Sequence, residues 1–165
     1  METNHLAAFE KFVRRHQTVV YRVALRMLRN EEDAKDATQD AFVEAWRALP
    51  DFRGESSLET WVYRIVTSRC LNLLRTRRGA EPLLETREAS LGRPNHLAET
   101  RGELDALKDA IVRLPPDQRA TLVLRELEGL SYEEIAHVLG TTVPAVKGRL
   151  HRARLELLHA MRGWR

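Results

Sequence analysis

One stretch decides the fold: residues 130–154 read LSYEEIAHVLGTTVPAVKGRLHRAR. Ser131 and Glu134 have the spacing of a capping box, in which the serine hydroxyl accepts from the glutamate amide and the glutamate carboxylate accepts from the serine amide. Gly140 can adopt the left-handed conformation that ends a helix, and Pro144 is tolerated only in the first turn of the next one. The stretch therefore predicts two helices joined by a tight turn, the arrangement of a helix-turn-helix.

The second of these helices has two unlike faces. Its apolar stripe consists of Val146, Leu150, Ala153 and Leu157. Its outer side carries Lys147, His151, Arg152 and, toward the edge, Arg154. Such a helix suits the major groove of DNA, where side chains reach base edges and flanking arginines hold phosphates. The alternative is the solvated basic end of an ordinary bundle helix, but the ordered series of caps and glycine before it favours DNA binding.

Composition limits the classes of protein. The 165 residues suffice for one domain or two small ones, and an apolar content of 43% suffices for packed cores. The net charge is only +3, so the charges matter through their positions. Cys70 is the only cysteine, which excludes a disulfide framework within one chain and makes a reducing cytoplasm the natural setting. The chain starts without a signal-peptide pattern and has no apolar run of membrane-spanning length, so we expect a soluble protein that is neither exported nor inserted in a membrane.

Two helices are predicted at the start of the chain. Apolar residues recur at helical spacing from Leu6 to Met27, which indicates a long first helix that closes near Asn30. The second helix runs from about Glu31 to Leu49. Its expected inner face consists of Ala34, Ala37, Ala41, Ala45, Trp46 and Leu49.

The outer face of the second helix is acidic. Acidic residues in its first turn, at 31–33, complement the helix dipole. The dipole effect falls off within a turn, so it does not account for Asp36, Gln39 and Asp40 farther along the helix. A surface that docks on another protein does account for them, and we expect one here.

A loop and a third helix carry features of a single-strand binding site. Phe52 and Arg53 lie in a loop marked by proline and glycine, where Phe52 is either a base-stacking ring or a buried anchor. The third helix runs from about Leu58 to Arg75 and has Trp61 at the border of its apolar side. Its polar side carries Arg64, Ser68, Asn72 and Arg75. Cationic groups beside an edge tryptophan suit melted nucleic acid, although Trp61 is equally well explained as a core residue.

Helical periodicity is lost from Gly79 onward, where glycine, proline and serine recur. We interpret residues 79–99 as a flexible linker between one domain at 1–78 and another at 100–165. In the second domain a helix from about Leu104 stops at Pro115, and another opens at Pro116 and reaches Gly129. The sequence thus predicts an all-α protein of two small helical domains.

An enzyme would need a catalytic constellation, and the sequence offers none. It contains no glycine-rich phosphate loop and no His-Glu-x-x-His pair, and its six histidines are scattered singly. Cys70 is best explained as a small apolar residue. We therefore expect no enzyme activity, no catalytic residue, no metal site and no cofactor.

Several motifs in order match one known family. They are DATQDAF at 36–42, FRGES at 52–56, TWVYRI at 60–65, LPPDQR at 114–119 and VKGRLHRAR at 146–154. With these motifs the chain resembles the extracytoplasmic-function (ECF) group of bacterial RNA polymerase sigma factors. The resemblance extends from about Leu6 to Met161.

The resemblance implies two helical domains, region 2 and region 4, and a protein that directs promoter-specific transcription initiation. It places Asp36, Gln39 and Asp40 against the clamp coiled coil of the polymerase β′ subunit, with the β flap as a second polymerase contact. Promoter DNA is then the other partner, and family analogy adds an anti-sigma factor. We expect a monomer when the protein is free of polymerase.

The resemblance also implies two sets of DNA contacts. The residues expected to contact the minus-10 element are Phe52, Arg53, Trp61, Arg64, Ser68, Asn72 and Arg75. The residues expected to contact the minus-35 element are Thr142, Lys147, Gly148, Arg149, His151, Arg152 and Arg154. Ser68, Asn72 and Gly148 depart from residues common in the family, which leaves the promoter sequence open.

The alternative from another class is a dimeric DNA-binding regulator, with residues 1–78 as its dimerisation or sensing domain. It explains the helix-turn-helix equally well. It leaves the acidic second helix and the cationic third helix without a role. Copurification with core polymerase as a single copy distinguishes the two hypotheses.

Overall fold

A computed structural model of the protein describes residues 2–80 and 96–162, with side chains at 3–77 and 102–162. The regular secondary structure of these residues is helical, which confirms the predicted all-α fold. The seven α-helices are α1 (Glu2–Leu28), α2 (Glu31–Ala48), α3 (Leu58–Ala80), α4 (His96–Arg113), α5 (Pro116–Leu122), α6 (Tyr132–Leu139) and α7 (Val143–Arg162). A 3-10 turn at Leu49–Asp51 follows α2, and a π-helical turn at Val123–Leu127 follows α5. In the described ranges, no helix has both the length and the apolarity that crossing a bilayer requires.

The junction of α1 and α2 follows from local chemistry. Arg29 takes a left-handed conformation with φ 55°, which ends α1. Asn30 is extended, and its side chain accepts a 3.0 Å hydrogen bond from the amide of Asp33. The first helix therefore closes near Asn30, as predicted, and Asn30 caps the second.

Helices α1, α2 and α3 form a bundle around small residues. Ala34, Ala37, Ala41 and Ala45 of α2 are buried as predicted, so the neighbouring helices approach α2 closely. The expectation for Trp46 was wrong, because its side chain is 37% exposed. Its ring lies 5.1 Å from that of Phe9 at the edge of the α1–α2 contact, where a large side chain packs without fitting between the helices.

The two ends of the predicted linker are helical. Helix α3 continues past Arg75 to Ala80, and α4 begins at His96. The remaining linker residues, 81–95, lie outside the described part of the chain. Gly102 interrupts α4 with φ 80° and ψ 177°, so the helix that packs onto the C-terminal domain starts after this kink. Leu104, just beyond the kink, is 64% exposed.

The helix-turn-helix forms as predicted. Ser131 and Glu134 make both hydrogen bonds of the capping box, each 3.0 Å long. Gly140 ends α6 with φ 64°, and Thr142 caps α7 by accepting from the amide of Ala145 at 3.2 Å. Val146, Leu150 and Ala153 are buried, and Leu157 is partly buried against them.

The two halves pack together through a shared interior. Helix α3 contacts α5 and α6, and α1 contacts the π-helical turn. One buried cluster joins Val62 and Val66 of α3 with Leu124 and Ile135 of the C-terminal half. Arg119 is buried with them, and its Nη1 donates to the carbonyl of Met27 at 2.5 Å. The described residues therefore form a closed arrangement, which the linker prediction did not anticipate.

Candidate nucleic-acid interface

The recognition helix α7 presents its cations to solvent. Lys147, His151, Arg152 and Arg154 are exposed, whereas the apolar stripe on the opposite side is buried. Arg149 is partly buried and lies nearer that stripe. Gly148 is helical, and a Cβ added to it would lie 3.5 Å from Nη1 of Arg152, an ordinary van der Waals contact. The arrangement offers an open cationic face to a DNA groove.

Lys147 rests near an aromatic ring that sequence analysis did not single out. Its Nζ lies 5.5 Å from the ring centroid of Tyr132, and the guanidinium of Arg125 lies 4.3 Å from the same centroid. Arg125 also donates to the carbonyl of Leu130 at 2.9 Å. Tyr132 thus connects the π-helical turn to α7 and orients the base of the recognition helix.

Two arginines predicted to contact DNA already have acidic partners. Arg154 donates from Nε to Glu126 at 3.0 Å and from Nη2 to the same carboxylate oxygen. Arg75 donates to Asp117 at 2.6 Å. All four side chains are substantially exposed, so these ion pairs contribute little to stability and exchange readily for a phosphate.

A small pocket lies where the loop after α2 meets α3. The rings of Phe52 and Trp61 are 4.9 Å apart and tilted by 39°. The pocket has a volume of about 180 Å³ and is lined by Asp51, Phe52, Arg53, Glu55, Ser56, Trp61, Arg64 and His137. Two arginines beside an aromatic pair form a site suited to a single unstacked base and its phosphates.

The pocket gathers some of the predicted minus-10 residues and leaves others apart. Phe52, Arg53, Trp61 and Arg64 line it together. Ser68, Asn72 and Arg75 are exposed farther along α3 and do not belong to its described lining. They form a polar track that leads from the pocket along the helix. The pocket also includes His137 of α6, which sequence reasoning missed because it lies in the other domain.

The acidic face of α2 is exposed. Asp36, Gln39 and Asp40 all point to solvent. Arg69 of α3 reaches across to this face, with Nη1 3.6 Å from Asp40 and Nε 2.8 Å from Glu44. Helical spacing alone did not reveal Arg69, because its partners come from another helix. The face is therefore acidic, and Arg69 neutralises part of its charge at one end.

An apolar groove lies beside the acidic face. It runs between α1 and α2, has a volume of about 980 Å³ and includes Gln39 in its wall. Leu6, Val43 and Trp46 expose large apolar surfaces along it. An exposed apolar groove next to a charged face has the composition of a protein-docking surface.

Burial decides the state of the ionisable groups inside the bundle. Cys70 is fully buried, and burial raises the pKa of its thiol from 9.0 to about 12. Burial also raises the pKa of Tyr63, with the nearby Glu59 adding to the effect. Among the described side chains, no group of histidine, cysteine, aspartate and glutamate is placed to hold a metal ion.

Glu128 makes two of the ion pairs that join the halves. Its side chain is only 3% exposed. It accepts from Arg22 at 2.6 and 3.0 Å and from Arg26 at 3.1 Å. The hydrogen bond to Glu128 raises the pKa of Arg22. The two arginines lie one turn apart on α1, so a single carboxylate of the C-terminal half is held by the N-terminal bundle.

Comparison with protein families matches both halves of the chain. Residues 12–80 match the family described as Sigma-70 region 2. Residues 104–157 match the family described as Sigma-70, region 4. The first match contains Phe52 and Trp61, and the second contains the helix-turn-helix.

Curated relatives align over most of the chain. The RNA polymerase sigma-H factor of Pseudomonas aeruginosa is 36% identical over 159 residues, covering 89% of this chain and 82% of the relative. The ECF RNA polymerase sigma-E factor of Escherichia coli K12 is 35% identical, covering 89% of this chain and 83% of the relative.

Solved structures share the fold. CnrH, solved in complex with the cytosolic domain of CnrY, is similar with a TM-score of 0.73 and 31% identity, over 97% of this chain and 91% of that one. The sigma factor RpoE, solved with the anti-sigma factor NepR from Bartonella quintana, has a TM-score of 0.71 and 24% identity, over 96% and 99%. The second likeness concerns the fold alone.

Proposed function

Because this chain belongs to the ECF group of RNA polymerase sigma factors, we propose that it binds core RNA polymerase and directs initiation by reading and melting promoter DNA. Its relatives are transcription initiation factors, so the surfaces described above act by binding. The N-terminal bundle serves the polymerase and the minus-10 element. The helix-turn-helix serves the minus-35 element.

One observation carries this proposal: the aromatic pair of Phe52 and Trp61, flanked by Arg53 and Arg64, belongs to the N-terminal bundle and not to the helix-turn-helix. A regulator that only binds duplex DNA has no use for a base-sized aromatic pocket in its other domain. A factor that melts DNA needs one, because a base that has left the stack requires a partner for its face. Ser68, Asn72 and Arg75 continue the path of the non-template strand along α3.

The acidic face supports docking on polymerase. Asp36, Gln39 and Asp40 are exposed together on α2, beyond the turn in which the helix dipole explains acidic residues. We assign them to the β′ clamp of core polymerase. We assign the β flap contact to the C-terminal domain.

Residues of the recognition helix contact different parts of the DNA according to their position on the helix. Lys147 and Arg152 are exposed opposite the buried stripe, and we assign them to base edges of the minus-35 element. Arg149 and Arg154 lie toward the edges of that face, and we assign them to phosphates. Thr142, Gly148 and His151 complete the DNA-facing surface, with Thr142 at the start of the helix.

We further propose that the free protein is a cytoplasmic monomer with an anti-sigma partner. CnrH, the neighbour at 31% identity, was solved in complex with a second protein, the cytosolic domain of CnrY, and family analogy makes such a partner an anti-sigma factor. The apolar groove between α1 and α2 gives such a partner a surface that adjoins the polymerase contact. Its occupancy would control access to the acidic face.

The test is a transcription assay with genomic DNA, core polymerase and the purified protein. We expect one copy of the protein to comigrate with core, and new transcripts to start at sites that share two short sequence elements. Sequencing of the transcripts gives those elements directly. A stable dimer that binds DNA but adds no transcript start to core polymerase would contradict the proposal and favour the dimeric regulator.

A further inference from the structure

The π-helical turn at Val123–Leu127 precedes the helix-turn-helix and directs Arg125 toward it. The amide of Glu128 donates to the carbonyl of Val123 at 3.1 Å, five positions back, so the turn is wider than that of an α-helix. Arg125 lies inside this turn, and its guanidinium is 4.3 Å from the ring centroid of Tyr132 at the start of α6. Short π-helical turns are frequent at functional sites, so the direction that this one gives to Arg125 calls for a functional explanation.

The ring of Tyr132 is held by two kinds of contact. It packs against the apolar cluster that contains Leu114 and Leu150, and Leu150 belongs to the buried stripe of α7. Arg125 lies over the ring, and the same side chain donates to the carbonyl of Leu130 at 2.9 Å, which limits its own movement. The aromatic face is therefore fixed with respect to α7 in the free protein.

Lys147 is the recognition residue that reaches this ring. Its ammonium nitrogen lies 5.5 Å from the ring centroid, within the range of a cation–π contact, although the residue is exposed. A lysine has a flexible four-carbon stem, so on an open helix surface its ammonium would sample many positions. Attraction to the ring favours the rotamers that carry Nζ toward α6. The ring thereby limits the base edges that the ammonium reaches.

Arg154 provides a contrast on the same helix. Its partner Glu126 comes from the same π-helical turn, but both side chains are exposed, so a DNA phosphate readily takes the place of the carboxylate. Tyr132 is neutral and packs against the apolar cluster, so a phosphate does not displace it. The contact between the ring and Lys147 is thus of a kind that persists on DNA.

We propose that Tyr132 is a positioning residue for minus-35 recognition, which holds the ammonium of Lys147 in the direction from which it reads one base pair. Arg125, directed by the π-helical turn, keeps the ring in place. The target is a base edge with acceptor atoms in the major groove, because an ammonium only donates hydrogen bonds. This role rests on the proposed function, since it requires that α7 reads a minus-35 element.

The contact itself is tested by NMR spectroscopy of the free protein. The ε-methylene protons of Lys147 should resonate upfield of those of Lys108, an exposed lysine on α4, because an aromatic ring shields protons above its face. Tyr132→Leu should return the Lys147 resonance to the position of the Lys108 resonance, whereas Tyr132→Phe should leave it shifted. An unchanged Lys147 resonance in Tyr132→Leu overturns the proposal.

The role in recognition is tested with core polymerase on all single-base variants of the minus-35 element found by transcript sequencing. Lys147→Ala first identifies the base pair that Lys147 reads. Tyr132→Leu should then lower the preference at that pair about two- to fivefold, in line with an exposed cation–π contact. The preference at the pair that responds to Arg152→Ala should be unchanged. In the Lys147→Ala background, Tyr132→Leu should have no further effect on the first pair.

Two further variants separate the electrostatics of the ring from its packing. Tyr132→Phe keeps the aromatic face and should keep the preference. A trifluorinated phenylalanine at the same position has nearly the same shape but a poorer ring face, so it should lose the preference as Tyr132→Leu does. Circular dichroism and melting temperature should match between the two rings. Equal preferences for both rings, or a uniform loss at every base pair, would show that Tyr132 only supports the fold or a phosphate contact, and would overturn the positioning role.

Failure of this role and failure of the proposed function give different results. If core polymerase selects promoters with this protein but the Lys147 base pair is insensitive to the ring, the positioning role alone fails. If the protein adds no transcript start to core polymerase, the proposed function fails and the role fails with it, even where the NMR contact is present.

Discussion

The N-terminal bundle has two candidate binding surfaces, and they differ in whether residues of the C-terminal half cover them. The acidic face of α2 is open to solvent, and Arg69 of α3 reaches across to Asp40 at one end of it. The pocket of Phe52 and Trp61 is closed on one side by His137 from the other domain. The same three helices therefore offer one surface that is ready to bind and another that needs a rearrangement.

The largest expected effect concerns the open surface. Asp36→Lys combined with Asp40→Lys should weaken binding to core polymerase about a hundredfold or more, because reversed charges repel a complementary partner. Fluorescence anisotropy of the labelled protein with core measures the affinity. Glu31→Lys combined with Glu32→Lys, in the first turn of the same helix, is the matched control and should cost much less. Equal losses for both pairs would show that net charge matters and not the assigned face.

A smaller effect is expected at the covered surface. Phe52→Ala or Trp61→Ala should reduce the yield of open complex about tenfold, in line with 1–3 kcal/mol per stacked base. Core binding should be unchanged, because neither ring belongs to the acidic face. A template with a pre-melted bubble should restore part of the loss. Full activity on duplex promoters would show that the two rings only anchor the loop.

Helix α7 offers a further comparison with the Phe52–Trp61 pocket, because its cationic face is a candidate DNA-binding surface that is already exposed to solvent. Arg152→Ala should change the preference at one or two base pairs of the minus-35 element by roughly 1–3 kcal/mol. Arg154→Ala should weaken all sequences alike and lower the salt slope by about one unit. Both are measured on single-base variants of the element with core polymerase present. A uniform loss for Arg152→Ala would move sequence recognition elsewhere.

The smallest effect is a gain in stability. Gly148→Ala removes a flexible residue from the middle of α7 and should add roughly 1 kcal/mol. For a chain of this size that raises the melting temperature by about 2–4 °C. Calorimetry of the free protein measures it. A decrease would mean that the new Cβ disturbs Arg152, whose guanidinium lies 3.5 Å from the added atom.

Sequence reasoning succeeded where the deciding partners are near one another in the chain. The capping box of Ser131, the left-handed Gly140 and the cap at Asn30 each depend on residues within a few positions. It failed where the partner is distant. Glu128 meets Arg22 across 106 positions, and no periodicity encodes that pairing.

The same limit applies to exposure within a helix. Trp46 has the spacing of a buried residue, but its size keeps it at the edge of a helix contact lined by alanines. The π-helical turn at Val123–Leu127 has the sequence VLREL, which an α-helix would also accept. Both outcomes depend on how much room the neighbouring helices leave, and that is set only when they pack.

The lone cysteine has a practical consequence. Cys70 is fully buried and burial raises the pKa of its thiol, so at neutral pH the reactive thiolate is scarcely populated. Maleimide and methanethiosulfonate reagents should therefore leave it unmodified while the protein is folded. The natural chain already serves as a background for site-directed labelling, and a probe can be attached at a chosen surface position without first replacing a native residue.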